Sequence, residues 1–131
     1  MRPARGGDGR PKPRTPEDAM AHQEFQSCID ACIRCAQACE HCATACLSEA
    51  DVQNMATCIR LDRDCAAICW MAAAFMSRRS EFDAEVCRLC ASVCDACGDE
   101  CGKHPHDHCQ RCAEACRVCA EACRRMAGAA V

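Results

Sequence analysis

The sequence has few of the residues that build β-sheets and aromatic cores. Its 131 residues include no tyrosine, one tryptophan and three phenylalanines, and threonine is scarce. No segment sustains the apolar and polar alternation of a half-buried strand. The chain is still long enough to form one domain with a real core. An all-α domain is therefore expected.

Long apolar runs are also absent. The longest stretch without a charged residue extends from Cys65 to Ser77, which is shorter than the roughly 18 residues that cross a bilayer. The basic N-terminus is not followed by an apolar run or a small-residue cleavage site, so a secretory signal is not expected. Together these absences predict a cytoplasmic protein with no membrane span.

Charge is distributed unevenly along the chain. The formal net charge is −3, but residues 1–14 contain five Arg or Lys and one Asp, which leaves eleven basic and eighteen acidic residues for the remainder. Such an acidic body is a poor partner for nucleic acid. Residues 1–14 are interpreted as a disordered basic leader rather than a nucleic-acid-binding arm, and residues 15–131 as a cysteine-rich domain.

Cysteine, by contrast, is abundant, with nineteen copies. In a small chain such an excess usually indicates either a secreted disulfide scaffold or a metal-binding protein. A cytoplasmic environment keeps thiols reduced, and an odd number leaves at least one cysteine unpaired within the chain. Metal binding is therefore favoured over disulfides.

Four segments rich in Ala, Glu, Gln and Arg have the composition of helices. The expected helices cover residues 16–47, 49–77, 81–101 and 105–126. Thr15, Ser48 and Ser80 precede the first three segments and are expected to be N-caps. Since the connections are short, neighbouring helices should run antiparallel. The predicted fold is an up-down-up-down four-helix bundle with a cysteine-lined core.

Nearly all the cysteines recur along these segments at steps of three or four, the spacing of residues that face the interior of a bundle. A single buried cysteine is usually just a small hydrophobe. An interior made from nineteen small thiols would leave voids that cost stability. Bound ions are therefore expected to fill the core.

Thiolates select Cu(I), zinc and iron–sulfur clusters. Zinc prefers four tetrahedral ligands, and ferredoxin-type motifs end in a Cys-Pro that is missing here. Two thiolates four residues apart on a helix can hold a two-coordinate ion. One Cu(I) per bridging thiolate also leaves the core neutral, whereas zinc with four thiolates keeps buried negative charge. We predict Cu(I) on the order of one ion per cysteine.

The candidate metal ligands are all the cysteines, one acidic residue that interrupts the cysteine stripe, and two histidines near the connection between the third and fourth predicted helices. They are Cys28, Cys32, Cys35, Cys39, Cys42, Cys46, Cys58, Asp62, Cys65, Cys69, Cys87, Cys90, Cys94, Cys97, Cys101, His104, His108, Cys109, Cys112, Cys116, Cys119 and Cys123. Eight CxxxC pairs are expected to clamp ions: 28/32, 35/39, 42/46, 65/69, 90/94, 97/101, 112/116 and 119/123. Cys58, Cys87 and Cys109 are expected to complete sites across helices. Binding by Met55, His41 and His106 is left open.

Asp62 occupies a position where the repeat would place a cysteine, so it is a candidate ion ligand, an acceptor of thiol protons or a partner of an arginine. Antiparallel packing should gather the histidines of the segment GKHPHDHC at one end of the bundle, where metal is expected to enter. The opposite end should collect Phe25, Met76, Phe82 and Met126. Five apolar residues off the stripe are expected at subunit contacts: Ile29, Ile33, Ile59, Ile68 and Trp70.

The segments CIDAC, CAQAC, CATAC, CAAIC and CAEAC, the last present twice, lie between Cys28 and Cys123. They resemble the helices of the copper storage proteins, and the lack of an export signal resembles the cytosolic branch. The resemblance implies a homotetramer of bundles, many Cu(I) ions in each core, and sites at one mouth with His104, His108 and Asp62. The predicted function is storage and buffering of Cu(I), exchanged with copper donor or acceptor proteins, without catalysis. A zinc or iron–sulfur module and a thiol–disulfide redox protein are the alternatives.

Overall fold

Four α-helices account for most of the chain. The computed structural model describes residues 15–129, and its helices are α1 (Pro16–Cys46), α2 (Ala56–Ser77), α3 (Asp83–Gly102) and α4 (Asp107–Ala129). This range contains no strand, and none of its helices is long and apolar enough to cross a membrane. The predicted all-α fold is confirmed. The leader at 1–14 and the last two residues lie outside the described range.

The helices form a four-sided bundle in which each packs against two others. Helix α1 contacts α2 and α4, and α3 contacts the same two helices. Diagonally opposed helices meet through sulfur at the centre: the Sγ atoms of Cys39 and Cys97 are 4.0 Å apart, and those of Cys65 and Cys116 are 3.9 Å apart. The four cysteine stripes therefore converge on one axis.

Small residues allow this close convergence. Every cysteine is at most 1% exposed, and Ala36, Ala72 and Ala120 are completely buried beside them. At Gly98 on α3, an added Cβ would lie only 3.2 Å from the Cβ of Cys116 on α4, which is tighter than ordinary packing. Gly98 thus permits the approach of α3 to α4 in the middle of the core.

Two of the predicted N-caps, Ser48 and Ser80, are wrong. Helix α2 begins at Ala56 rather than near residue 49, because the chain first makes a turn and a 3-10 helix, Val52–Met55, after α1. Ser48 lies in that turn and does not cap α2. Ser80 accepts a hydrogen bond from the backbone N–H of Phe82 at 3.0 Å, so it closes a turn ahead of α3 instead of capping the helix itself. The cap at Thr15 stays a prediction.

The connection between α2 and α3 contains one residue in the left-handed region. Arg79 has φ of 53°, and the N–H groups of Arg79 and Ser80 donate to the carbonyls of Met76 and Phe75 at 3.1 and 3.0 Å. This is the Schellman arrangement that ends many helices, usually with glycine at this position. The Arg79 guanidinium lies 4.0 Å from the centroid of the Phe25 ring, a favourable cation–π contact.

The two bundle ends have the residue sets that antiparallel packing predicts, with one difference. We call the end with His104, His106 and His108 the histidine end, and the end with Phe25, Met76, Phe82 and Met126 the phenylalanine end. Met76 and Met126 are buried there and Phe25 is half-buried, whereas Phe82 is 54% exposed. Phe82 lies in the turn before α3, so it does not help to close the core.

The apolar residues off the cysteine stripe divide into three groups. Trp70 is 42% exposed, and Ile29, Ile33 and Ile59 are half-buried. Ile68 is buried in the core, so the expectation that it lies at a subunit contact is wrong.

Candidate metal centre

The closest sulfur contacts of the core join different helices. The Sγ atoms of Cys58 on α2 and Cys101 on α3 are 3.4 Å apart, and those of Cys39 on α1 and Cys112 on α4 are 3.5 Å apart. The cysteine spacing predicts pairs within one helix, because spacing along a helix can be read directly from the sequence. The relative axial shift of neighbouring helices cannot be read in this way, and this shift decides which cysteines of different helices come into contact.

The CxxxC pairs are also close, though less so. Six of the eight predicted pairs have Sγ atoms 3.8 to 4.0 Å apart: 35/39, 42/46, 65/69, 90/94, 97/101 and 119/123. The other two pairs share a neighbour on another helix. Cys28 and Cys32 both approach Cys123, at 3.8 and 3.7 Å, and Cys112 and Cys116 both approach Cys39, at 3.5 and 3.9 Å.

The thiols form overlapping groups rather than separate sites. Within each group the candidate ligand atoms all lie within 4.8 Å of one another. Four such groups are Cys32/Cys90/Cys119/Cys123, Cys35/Cys69/Cys94/Cys119, Cys35/Cys39/Cys65/Cys116 and Cys39/Cys97/Cys112/Cys116. Successive groups share Cys119, then Cys35, then Cys39 and Cys116. Sharing of this kind is what bridging thiolates require, whereas independent four-ligand sites would divide the cysteines into separate sets.

The sulfur spacing suits a thiolate-bound ion with little movement. With metal–thiolate bonds of about 2.3 Å, as in zinc sites, three thiolates around one ion lie about 4.0 Å apart. The sulfur contacts described above span 3.4 to 4.0 Å. The expected voids are not found at these contacts, since the helices approach until the sulfurs touch. Ions would enter by small outward displacements of the thiols.

Asp62 is completely buried among thiols. Its Oδ1 accepts hydrogen bonds from Cys97, Cys101 and Cys112 at 3.3, 3.2 and 3.3 Å, and its Oδ2 accepts one from Cys58 at 3.7 Å. Burial raises the pKa of Asp62 to about 8. Pairing with an arginine, one of the three predicted roles, is wrong, because the carboxyl faces four thiols.

His108 connects the thiol core to the histidine end. Its Nδ1 lies 3.5 Å from the sulfurs of Cys42 and Cys109 and 3.9 Å from that of Cys46. Its Nε2 lies 2.7 Å from an oxygen of Glu49, and only 11% of the side chain is exposed. The ring therefore has one nitrogen toward sulfur and the other toward a carboxylate.

Two thiols at this end, those of Cys46 and Cys109, are held in their protonated form by burial. Burial raises the pKa of Cys46 to about 11, with a further contribution from the nearby Cys58. Burial also raises the pKa of Cys109, assisted by repulsion from Cys46. A soft cation that displaces these protons would remove the cost of burying thiolate charge.

His104 lies at the same end but has a different partner. Its Nε2 is 2.9 Å from the Glu100 carboxylate, one turn earlier on α3, and its backbone carbonyl accepts a hydrogen bond from Gln110 at 2.7 Å. In the part of the chain that the structure describes, the ring bonds to this carboxylate rather than to a thiol. Sequence spacing placed His104 at the correct end without identifying Glu100.

The three residues left open have distinct environments. His106 stacks on His108 with ring centroids 5.4 Å apart and ring planes 2° from parallel. His41 is exposed on the outside of α1. Met55 is completely buried. The sequence pattern did not identify Glu49. This residue reaches His108 only because the chain turns after α1, whereas the capping pattern of Ser48 predicted that a helix starts there.

Comparisons with known proteins agree with the chemistry of this core. The family model described as copper storage protein matches residues 21–128. A Cu(I)-bound copper storage protein, BsCsp3, shares 56% of its residues over 80% of this chain and 99% of its own, with a TM-score of 0.77; the metal-free form of this Bacillus subtilis protein is also similar. A cytosolic copper storage protein from Streptomyces lividans, solved with five coppers, is 46% identical over 84% and 97% of the two chains, with a TM-score of 0.81.

A curated relative is similar over a shorter region. The uncharacterized cysteine-rich protein YhjQ of Bacillus subtilis is 56% identical over 69 residues, which are 53% of this chain. The matched region spans 64% of that relative's length. The similarity to it therefore concerns part of each protein.

Proposed function

We propose that this chain, which belongs to the copper storage protein family, stores many Cu(I) ions on the thiolates of its core. The observation that carries the proposal is the overlap of the buried thiol groups, in which Cys35, Cys39, Cys116 and Cys119 each belong to two groups. Overlap allows one thiolate to bridge two ions. A store built in this way holds roughly one Cu(I) per cysteine.

The charge of the core supports Cu(I) over zinc. Asp62 and nineteen cysteines are buried, and uncompensated negative charge in such an interior is costly. Each Cu(I) that replaces a thiol proton leaves the charge of the core unchanged. Zinc with four thiolates would add two negative charges per site, and the shared cysteines would have to be divided between ions.

A thiol–disulfide redox role has less support. Such proteins use a CxxC motif at a helix N-terminus, where the pKa of the first cysteine is lowered. Cys109 and Cys112 occupy such a position at the start of α4. However, Cys109 is completely buried, and burial raises the pKa of its thiol. We propose that the chain binds and releases Cu(I) without catalysing a reaction.

Copper is proposed to enter at the histidine end. Since each cysteine is at most 1% exposed, an ion cannot reach the core through the sides of the bundle without separating helices. At the histidine end, His108 contacts Cys42 and Cys109 directly. The proposed ligands are the nineteen cysteines with Asp62 inside the core, and His108 and His104 at the entrance.

Assembly and location are proposed from the family. The similar Streptomyces lividans protein is described as cytosolic, and we propose a cytosolic location for this chain, where copper donor or acceptor proteins would exchange ions with it. A homotetramer would cover part of the apolar surface that one bundle leaves exposed, including Trp70, Met71 and Leu89 at 42, 45 and 56% exposure.

Anaerobic titration of the fully reduced protein with Cu(I) tests the proposal. A competing colorimetric chelator reports free Cu(I), so the number of ions removed from it gives the capacity. We expect roughly one tightly held Cu(I) per cysteine, released with a comparable number of protons. Saturation at two or three ions would contradict storage. Zn²⁺ titrated in the same way should saturate at no more than about one ion per four cysteines.

A further inference from the structure

We infer that Glu49 is a positioning residue for copper entry, which holds His108 with Nδ1 directed at the thiols of Cys42 and Cys109. The inference rests on the proposed entry of Cu(I) at the histidine end. It adds a residue with no metal-binding spacing of its own, brought to the entrance by the turn that follows α1.

The backbone determines where Glu49 lies. Its N–H donates to the carbonyl of Cys46 at 3.2 Å, so the chain folds back directly after the last cysteine of α1. From this turn the carboxylate reaches across to α4, where its Oε2 lies 2.7 Å from Nε2 of His108. The Glu49 side chain is 28% exposed, and it lies between solvent and the ring.

The chemistry of the contact decides which ring nitrogen faces the thiols. An ionised carboxylate can only accept hydrogen bonds, so Nε2 of His108 carries a proton whether the ring is neutral or charged. In the neutral ring, Nδ1 then keeps its lone pair and is the nitrogen that can bind an ion. Carboxylate, imidazole and metal arranged in this order are common in metalloproteins, where the carboxylate fixes the tautomer and raises ligand basicity.

The ring of His106 packs on the face of the His108 ring and restricts its movement. His106 stacks on His108 at 5.4 Å between centroids, and its Nδ1 is 3.3 Å from the same Glu49 oxygen. The Nε2 of His106 lies 3.3 Å from Asp51 but is not aligned for a hydrogen bond. Glu49 thus contacts both rings and is the shared element that keeps them parallel.

The result is a donor set in place before an ion arrives. Nδ1 of His108 lies 3.5 Å from each of the sulfurs of Cys42 and Cys109, and those two sulfurs are 3.8 Å apart. One nitrogen and two thiols at these distances can surround a single three-coordinate ion. Rotation of the ring by half a turn would remove the nitrogen from this set, and Glu49 opposes that rotation.

The test compares wild type with Glu49→Gln and Asp51→Asn. Both substitutions remove one negative charge from the same end, but Asp51 contacts His106 and not His108. It also makes no side-chain cap to the 3-10 helix, so Asp51→Asn should not affect folding. Two properties are measured: the tautomer of His108, by ¹⁵N NMR of the metal-free protein at about pH 8, and the initial rate of Cu(I) transfer from a chelator.

We expect the wild type and Asp51→Asn to show the Nε2–H tautomer at His108 and to load at similar rates. Glu49→Gln should show a mixture of tautomers and load severalfold more slowly, because only rings with an unprotonated Nδ1 then offer the nitrogen donor. Its final copper content should equal that of wild type. A slower rate in Glu49→Gln with unchanged capacity separates positioning from storage.

Several results would overturn the inference. A wild-type spectrum with the Nδ1–H tautomer at His108 would contradict the inference. This result needs only the wild-type protein, so it holds even if a variant fails to fold. Equal slowing in both variants would show that charge at the entrance matters and positioning does not. If the wild type instead held only a few ions but kept the Nε2–H tautomer, the proposed storage function would fail while the Glu49–His108 arrangement stood.

Discussion

The two ends of the bundle are closed by different chemistry. At the histidine end, the ring of His108 lies between the Glu49 carboxylate and the thiols of Cys42 and Cys109. At the phenylalanine end, the core is covered by the apolar side chains of Met76 and Met126. Groups that exchange protons or carry charge thus extend from solvent into the core at the first end. At the second, the path is closed by thioethers.

The same difference continues inside the bundle. Toward the histidine end, Cys58, Cys101 and Cys112 donate to the Asp62 carboxyl. Toward the phenylalanine end, the group of Cys32, Cys90, Cys119 and Cys123 consists of sulfur alone. The comparison teaches that a nearly uniform cysteine repeat still produces two unlike halves, because a few non-cysteine residues determine charge and access.

The largest effect is expected from the carboxyl that distinguishes the two halves. Burial raises the pKa of Asp62 from 3.8 to about 8. Because the folded pKa lies above the unfolded one, the stability that Asp62 contributes is complete below about pH 4 and is lost as pH rises through about 8. The metal-free wild type should therefore lose up to about 1.4 kcal/mol per pH unit in this window relative to Asp62→Asn.

Urea unfolding of both metal-free, reduced proteins at several pH values measures this difference. Cysteines remote from Asp62 titrate alike in both proteins, so the difference between the two curves reports Asp62 together with the four thiols that donate to it. Parallel curves from pH 5 to pH 9 would mean that burial does not hold Asp62 neutral. The two halves of the core would then not differ in charge in the way described above.

The second prediction concerns the phenylalanine end. Met76 is 1% exposed, so Met76→Ala should lower the free energy of unfolding by about 2–5 kcal/mol. Met20, on α1 and 61% exposed, is the matched control, and Met20→Ala should cost less than about 0.5 kcal/mol. Urea unfolding gives both values. Neither variant should load Cu(I) faster than wild type; faster loading of Met76→Ala would make this end a second entrance.

The third and smallest effect compares one histidine from each end. His108→Ala should slow Cu(I) transfer from a chelator about tenfold, equivalent to about 1.4 kcal/mol in the barrier, because the nitrogen donor beside Cys42 and Cys109 is lost. His22 contacts Arg79 near the phenylalanine end, and His22→Ala should leave the rate unchanged. Stopped-flow measurements compare the two variants. Equal rates in both would remove the functional distinction between the ends.

Much of this organisation could be predicted from the sequence because it depends on spacing along single helices. Steps of three and four placed every cysteine in the core, and antiparallel order assigned His108 to the same end as Cys46. The contacts between helices, such as Cys39 with Cys112, depend on axial shifts that no single segment encodes. Glu49 depends on a turn and a 3-10 helix, Val52–Met55, where the capping pattern of Ser48 indicated the start of the second helix at residue 49.

The proposed storage function requires that shared thiolates of the core bind Cu(I). X-ray absorption at the copper edge of the fully loaded, anaerobic protein measures this binding. We predict sulfur as nearly the only ligand, with about two to three sulfurs per copper and a clear copper–copper distance from bridged ions. A spectrum dominated by nitrogen or oxygen ligands, or sulfur-bound copper without copper neighbours at full loading, would contradict it.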